Sequence, residues 1–301
     1  MFRSILIILL LLNTSLYGQG KLDYFTLINK GDSCRYEKNF KAAYTFYSKA
    51  ISISAVNPYN IMSLVKMSLE LKDYKKTTSY LDLAVKNGAL LGMLESDSNV
   101  FKLVKQDPLW MTKFAKLRQE HLASIPHLED RTTLVTMLEK DQALRSLLGV
   151  IPFKKADSMI YAADTTNMLV IMQMVKRIGF PDIKKVGLDG VNAIYIMLLH
   201  TLNNKVRDKE NLSILIPLMK DAVQQLSYPP FYMGIVIDRN RALNKQKQVY
   251  GTYWEPAENN KRIILPIENI KEVDKRRKEI GLPPLIIAKT QWNQTLPEGY
   301  L

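Results

Sequence analysis

Residues Met233–Trp254 read MGIVIDRNRALNKQKQVYGTYW, an apolar helix that carries Asp238-Arg239 and runs into Gln248-Val249-Tyr250-Gly251-Thr252. On that helix Phe231, Ile235, Asp238 and Ala242 share one face, so the carboxylate of Asp238 points into the protein. A buried charge costs several kcal/mol unless it is paired or hydrogen-bonded. Other segments must therefore bring polar groups to this one, and the second half of the chain supplies candidates.

Upstream, Thr132–Gly149 (TTLVTMLEKDQALRSLLG) predicts a helix capped at Thr132 or Thr133, with Leu134, Leu138 and Leu148 on the inner face. Asp141 and Arg145 fall on that same face at the i, i+4 spacing of a helical ion pair. A second helix is expected from Asp164 to Ile178, ended by Gly179 and Pro181, with Asp164 and Asn167 in an N-terminal capping role. Asp189 then caps VNAIYIMLLHTL, which is apolar nearly all round, the mark of a central helix, and carries His200. Pro217 interrupts SILIPLMKDAV, and Pro229-Pro230 precede the helix of Asp238.

Downstream, KQVYGTYW and KRIILPI have the β-branched and aromatic content of two strands, with the turn-rich EPAENN between them. A hairpin packed on helices follows. A last helix, from about Asn269 to Ile280, sets Ile270, Val273, Arg277 and Ile280 on one stripe, turning Arg277 inward. The expected polar centre thus comprises Asp141, Arg145, His200, Asp238, Arg239 and Arg277, supported by Gln248 and Tyr250. Either it is a self-satisfied ion network, or its Arg residues clamp a carboxylate or phosphate while His200 and an Asp move a proton.

The ordered motifs DQALR (Asp141–Arg145), DTTN (Asp164–Asn167), GFPDIKKVG (Gly179–Gly187), His200, Asp238-Arg239, QVYGT (Gln248–Thr252) and VDKRRKEIGLPPL (Val273–Leu285) resemble a bacterial domain family without assigned function, over about Leu134 to Leu285. Leu199 stands where that family often has Gln.

In the first half, EKNFKAAYTFYSKA (Glu37–Ala50) aligns with LKDYKKTTSYLDLA (Leu71–Ala84) at a period of 34 residues, pairing Phe40 with Tyr74, Ala43 with Thr77, Tyr47 with Leu81 and Ala50 with Ala84. With Gly31 in the preceding helix, this pattern resembles the tetratricopeptide repeat, which implies a concave surface for a peptide or protein. Leu90 to Leu117 is expected to cap the stack, with Asp107-Pro108 opening its last helix. The chain then divides into a signal (1–20), a repeat stack (21–119), a linker (120–131, marked by Pro126) and a helical domain with a β-hairpin (132–301). The fold class is mainly α.

The opening MFRSILIILLLLNTSLYGQG, with Arg3 ahead of a short apolar run and small residues at Ser15, Gly18 and Gly20, reads as a cleavable export signal. That places the protein in the periplasm or outside the cell. No segment has the length of about 20 apolar residues that a membrane helix needs. Cys34 is the single cysteine, so no internal disulfide forms, and within the repeat it reads as a small packed side chain. The net charge of +13 is spread along the chain; its densest run, Lys275–Lys278, suits a helix C-terminus, so weak attraction to anionic surfaces is expected and a nucleic-acid partner is not. His121 and His127 are six apart in the linker and read as surface residues. No standard catalytic signature, metal-ligand spacing or cofactor motif is present. The sequence therefore predicts an exported protein-interaction module that binds a peptide or protein through its repeats, the competing class being an unfamiliar hydrolase acting on an envelope or extracellular substrate.

Overall fold

The computed structural model describes residues 23–202, 205–258, 261–291 and 294–300. The signal-like segment 1–20 lies outside the described residues. The protein is mainly α, as the periodicity predicts, with one small sheet near the end of the chain.

The first half is a stack of helix hairpins. Helix α1 spans 23–36, α2 Phe40–Ile53, α3 Pro58–Glu70, α4 Tyr74–Lys86, α5 Leu91–Glu95, α6 Ser98–Lys105 and α7 Trp110–Ala123. The period of the sequence reappears in the backbone: α2 and α4 start 34 residues apart, each behind a left-handed Lys (Lys38, Lys72) and a side-chain cap (Asn39, Asp73). Ala43, Tyr47 and Ala50 are fully buried, as are their counterparts Thr77, Leu81 and Ala84, because these are the positions where helices cross. A methyl group on Gly31 would sit 2.6 Å from the Tyr47 ring, which explains the glycine. Asp107 accepts from the Leu109 amide just ahead of α7, close to its expected opening role.

The second half contains α8 (Leu128–Arg145), α9 (Phe153–Ile178), α10 (Ile183–Thr201), α11 (Lys205–Gln224), α12 (Pro230–Leu243), α13 (Val273–Glu279) and α14 (Leu285–Gln291). Helix α10 is the central element: Val191, Ala193, Ile194, Met197 and Leu198 are all fully buried. Its first turn is set off by Gly187 at φ 69°, ψ 174°, a conformation in which a side chain is strained and would also press on Ile125. Strand β1 (Trp254–Pro256) pairs antiparallel with β2 (Arg262–Ile264), Trp254 opposite Ile264, and β3 (Gln294–Thr295) joins β2 in parallel.

Several expected boundaries move. Helix α8 opens at Leu128 without a side-chain cap, not at Thr132 or Thr133, and Leu148 falls beyond its end and is exposed. Helix α9 begins at Phe153, eleven residues before Asp164, so Asp164 and Asn167 lie in mid-helix and cap nothing. Most of the stretch read as a linker is helical: residues 120–123 complete α7 and 128–131 open α8. His121 is buried rather than on the surface, its Nδ1 at 3.0 Å from the Lys86 carbonyl; burial, helped by Arg118, pushes its pKa down. KQVYGTYW is a loop up to Tyr253 and becomes a strand only at Trp254. The last expected helix is a 3-10 turn (Ile270–Glu272) followed by the short α13.

The two halves pack directly on each other. Tyr59 of α3 shares a hydrogen bond of 3.0 Å with the hydroxyl of Tyr232 on α12, which in turn donates to Asn192 of α10 at 2.9 Å. Phe25 of α1 lies against Gly281, where a Cβ would come within 2.6 Å of its ring. Arg118 of α7 and Arg131 of α8 both bind the carboxylate of Asp189 on α10. Asp189 is not the expected cap: α10 already starts at Ile183 behind Asp182, whose side chain accepts the Lys184 and Lys185 amides, and Asp189 inside the helix is instead a three-helix tie.

Candidate functional site

The structure divides the expected polar centre in two. Three neighbouring helices build the first part. Asp141 of α8, whose side chain is 2 % exposed, receives Arg145 Nε at 3.1 and 3.2 Å, Arg145 Nη2 at 3.0 Å and Gln142 Nε2 at 2.8 Å. Arg145 extends its Nη2 to Asp164 Oδ1 of α9 at 2.5 Å. His200 of α10 places Nδ1 at 2.8 Å from Asp141 Oδ2. Because a carboxylate only accepts, the His200 proton sits on Nδ1.

Burial dominates the electrostatics of this group. It pushes the His200 imidazole below its ordinary pKa; the Arg145 and Arg239 guanidinium groups push the same way, while Asp141 pulls upward. His200 is therefore neutral at pH 7. Burial also raises the Asp164 carboxyl, with Asp141 nearby acting in the same sense and Arg145 opposing. The pieces are a buried acid that orients an imidazole and a guanidinium that ties two acids together, with the His200 and Arg145 side chains 21 % and 22 % exposed. That arrangement is chemically able to hold an anion and exchange a proton.

Asp164 was hidden in the sequence by its capping pattern, Asp-x-x-Asn. A signal was nevertheless present: Ile160, Asp164, Asn167, Met168, Ile171 and Val175 are all buried, a helical stripe that continues through the supposed cap.

The second part surrounds Asp238, which is fully buried as its helical face requires. Its partners, however, are not the expected cations. The carboxylate accepts the amides of Val249 (2.8 Å), Tyr250 (3.1 Å) and Thr252 (2.8 Å) and the Thr252 hydroxyl (2.7 Å), so the QVYGT loop wraps around it. Gly251, at φ 67°, makes the bend, and its missing side chain leaves room for Ile267. Gln248, also fully buried, closes the loop from the other side: its amide donates to the carbonyls of Tyr253 and Leu265, and its side-chain oxygen accepts the Tyr253 amide. Arg277, 1 % exposed, donates to the carbonyls of Pro283 at 2.7 Å and Tyr250 at 2.7 Å. Burial brings its pKa down to about 10. Tyr250 contributes its backbone to this lock and packs its half-buried ring against the core of the second half.

Arg239 belongs to neither lock. Its guanidinium lies over the Tyr253 ring at 5.8 Å, and its Nε is buried without a hydrogen-bond partner. Among the described residues no group of three or more His, Cys, Asp or Glu side chains is placed to share a metal ion, and no helix is long and apolar enough to cross a membrane.

Fold and site together define a helical protein whose second half joins a helix bundle to a small sheet and holds an acid–guanidinium–imidazole centre at the meeting of α8, α9 and α10. Residues 126–290, more than half of the chain, match a family of unknown function (DUF6624), and the chain belongs to that family. Every residue of both polar centres lies inside the match, and the repeat stack lies outside it. No curated protein and no solved structure matches the chain.

Proposed function

We propose that the protein is an exported interaction module that captures a protein or peptide segment in a groove of its tetratricopeptide-like repeats. One observation carries this reading: a groove of about 900 Å³ runs along the first helices of successive hairpins, lined by Asp32 and Arg35 of α1, Tyr59 and Lys66 of α3, and Met93 of α5. Arg35, Lys38 and Lys66 line its wall with Asp32; Arg35 pairs with Asp32 and Lys66 with Asp97 at the edge, so a partner's acid meets Lys38 or competes for these pairs. Phe40, Met62 and Met93 provide an apolar floor. A partner segment with Asp or Glu beside an apolar side chain meets both features. Contact of the first half with the second, through Tyr59 and Tyr232, ties such an occupant to the family domain.

The test is a random-peptide array read with the full exported chain and with an Arg35→Glu, Lys66→Glu variant of equal melting temperature. Acidic–apolar peptides should be enriched by the first and lost by the second. An array without acidic enrichment, or with enrichment unchanged in the variant, overturns the reading. Export is proposed on the signal-like pattern of residues 1–20. Mass spectrometry of the exported protein checks it: an intact Met1 refutes processing.

A further inference from the structure

The connection between α8 and α9 holds apolar side chains out to solvent. Leu147 and Ile151 are half-buried, but Val150 is 74 % exposed, Phe153 72 % and Leu148 45 %. Single exposed apolar residues are ordinary, whereas three in one short turn form a patch of the kind that marks an interaction surface. The backbone fixes their exposure. The Leu148 amide donates to the Arg145 carbonyl at 3.1 Å, the Val150 and Ile151 amides donate to that of Leu147 at 3.0 and 3.2 Å, and Leu148 forms a bridge with Ile151. Gly149 stands at the apex with φ 83°, and a Cβ placed on it would meet nothing within 4 Å. The turn is therefore a protruding knob rather than a groove.

Charge decides what such a knob enters. From Ser146 to Ala156 (SLLGVIPFKKA) there is no acid, and the exposed Lys154 and Lys155 follow Phe153 directly in the first turn of α9. Cations there run against the helix dipole, so an anionic surface relieves an unfavourable placement. Asp157, the next acid, lies four residues beyond Phe153, roughly 6 Å further back at 1.5 Å per residue. An apolar apex with amines just behind it suits an anionic bilayer, where apolar side chains pass below the headgroups and lysines stay at the phosphates. A second copy of the chain is the poorer occupant: its repeat groove has an apolar floor but Lys38 on the wall, and two chains of net charge +13 repel.

We propose that the Leu148–Phe153 turn inserts into the surface of an anionic phospholipid bilayer, with Val150 and Phe153 below the headgroups and Lys154 and Lys155 against the phosphates. The contact is separate from the repeat groove and does not depend on what that groove captures. Arg145, which ties Asp141 to Asp164, comes three residues before Leu148, so docking sets the polar centre of α8, α9 and α10 close to the headgroups.

The test puts an environment-sensitive fluorophore on Val150→Cys in the full chain, with Cys34→Ala removing the one native thiol. The same label on Leu109→Cys, a site 72 % exposed ahead of α7, reports contact elsewhere. Vesicles of phosphatidylglycerol and phosphatidylcholine in equal parts should shift the Val150 label to the blue and leave the Leu109 label unchanged; phosphatidylcholine alone should shift neither. Phe153→Ser should weaken the binding read by this label by about tenfold or more. Lys154→Gln and Lys155→Gln should each weaken it about fivefold, and about 0.5 M salt should weaken it in the native turn. All three side chains are exposed, so melting should be unchanged. The proposal is overturned if the Val150 label ignores anionic vesicles, if the Leu109 label responds equally, if neutral vesicles bind as well, or if the shift appears without vesicles as protein concentration rises, the mark of a second copy on the turn.

Discussion

Replacing Asp238 by Asn should cost about 2–4 kcal/mol of folding stability, because all the groups around its carboxylate are donors. Oδ1 accepts the Val249 and Tyr250 amides, and Oδ2 accepts the Thr252 amide and hydroxyl. An asparagine must turn an NH₂ toward one of these pairs. Placed at Oδ2, it still suits the Thr252 hydroxyl, which rotates to accept, but it orphans the Thr252 amide; placed at Oδ1, it orphans that of Val249. Each orphan costs about 1–3 kcal/mol, and the surviving bonds fall from charge-assisted to neutral strength, about 1 kcal/mol each. Relief from burying a charge offsets part of this sum. Thr252→Val removes one hydroxyl and no amide partner, so it should cost only about 1 kcal/mol. Urea unfolding is the assay: at a slope of about 3 kcal/mol per M, Asp238→Asn should lower the midpoint by about 1 M without changing the slope. Hydrogen exchange at residues 249–252 should accelerate in parallel. An Asn variant within about 0.5 kcal/mol of the native chain would refute the view that Asp238 is a loop anchor.

The other expectations concern burial, backbone and pH. Arg277→Met should cost about 2–4 kcal/mol, since it strips donors from the buried carbonyls of Tyr250 and Pro283, and Arg277→Lys should not rescue it, because Nε and Nη1 point to different acceptors; a Lys variant with native melting would contradict this. Gly187→Ala should lose about 1–3 kcal/mol through a positive φ and contact with Ile125, read as a lower melting temperature. Both His200 and His121 are held below their ordinary pKa by burial, so the folded state favours the neutral ring and the unfolded chain takes up protons first. Their contribution is fully present above about pH 6.5 and is lost as the pH falls below it, so melting at pH 5.5 should lie below melting at pH 8. Replacing both rings by Asn should flatten that slope, and an unchanged slope would show that other groups set it.

Where the sequence repeats a physical constraint, it was legible. The 34-residue period marks out α2 and α4 because Tyr47 and Leu81, like Ala50 and Ala84, meet the same crossing in successive hairpins. The apolar surround of His200 announces α10 as the central helix, and Asp141-Arg145 at i, i+4 becomes an observed ion pair at 3.0 Å. Ends were less legible, since a Thr or Asp ahead of an apolar run is a cap only if the helix starts there. Helix α8 opens at Leu128 without any side-chain cap, and α9 runs straight through Asp164. His121 was misjudged for a related reason: Pro126 marks a real break, but His121 ahead of it is buried close to where Arg118, Arg131 and Asp189 bind, in a way that only the tertiary fold brings about.

The division of the polar centre has the most general cause. An inward-facing charge must be satisfied, but the requirement does not name the partner. For Asp141 the partners are side chains, whose identity is written in the sequence, and Arg145 and His200 were found by reading it. For Asp238 they are three backbone amides and one hydroxyl, and for Arg277 two backbone carbonyls, groups that every residue carries. Only the bend at Gly251 betrays that loop, because aiming successive amides at one carboxylate needs a residue that tolerates φ 67°. The same distinction separates the roles of the two centres. A charge held by backbone groups closes on itself and fixes a loop, whereas the side chains of the other centre, gathered from α8, α9 and α10, tie three helices to one another.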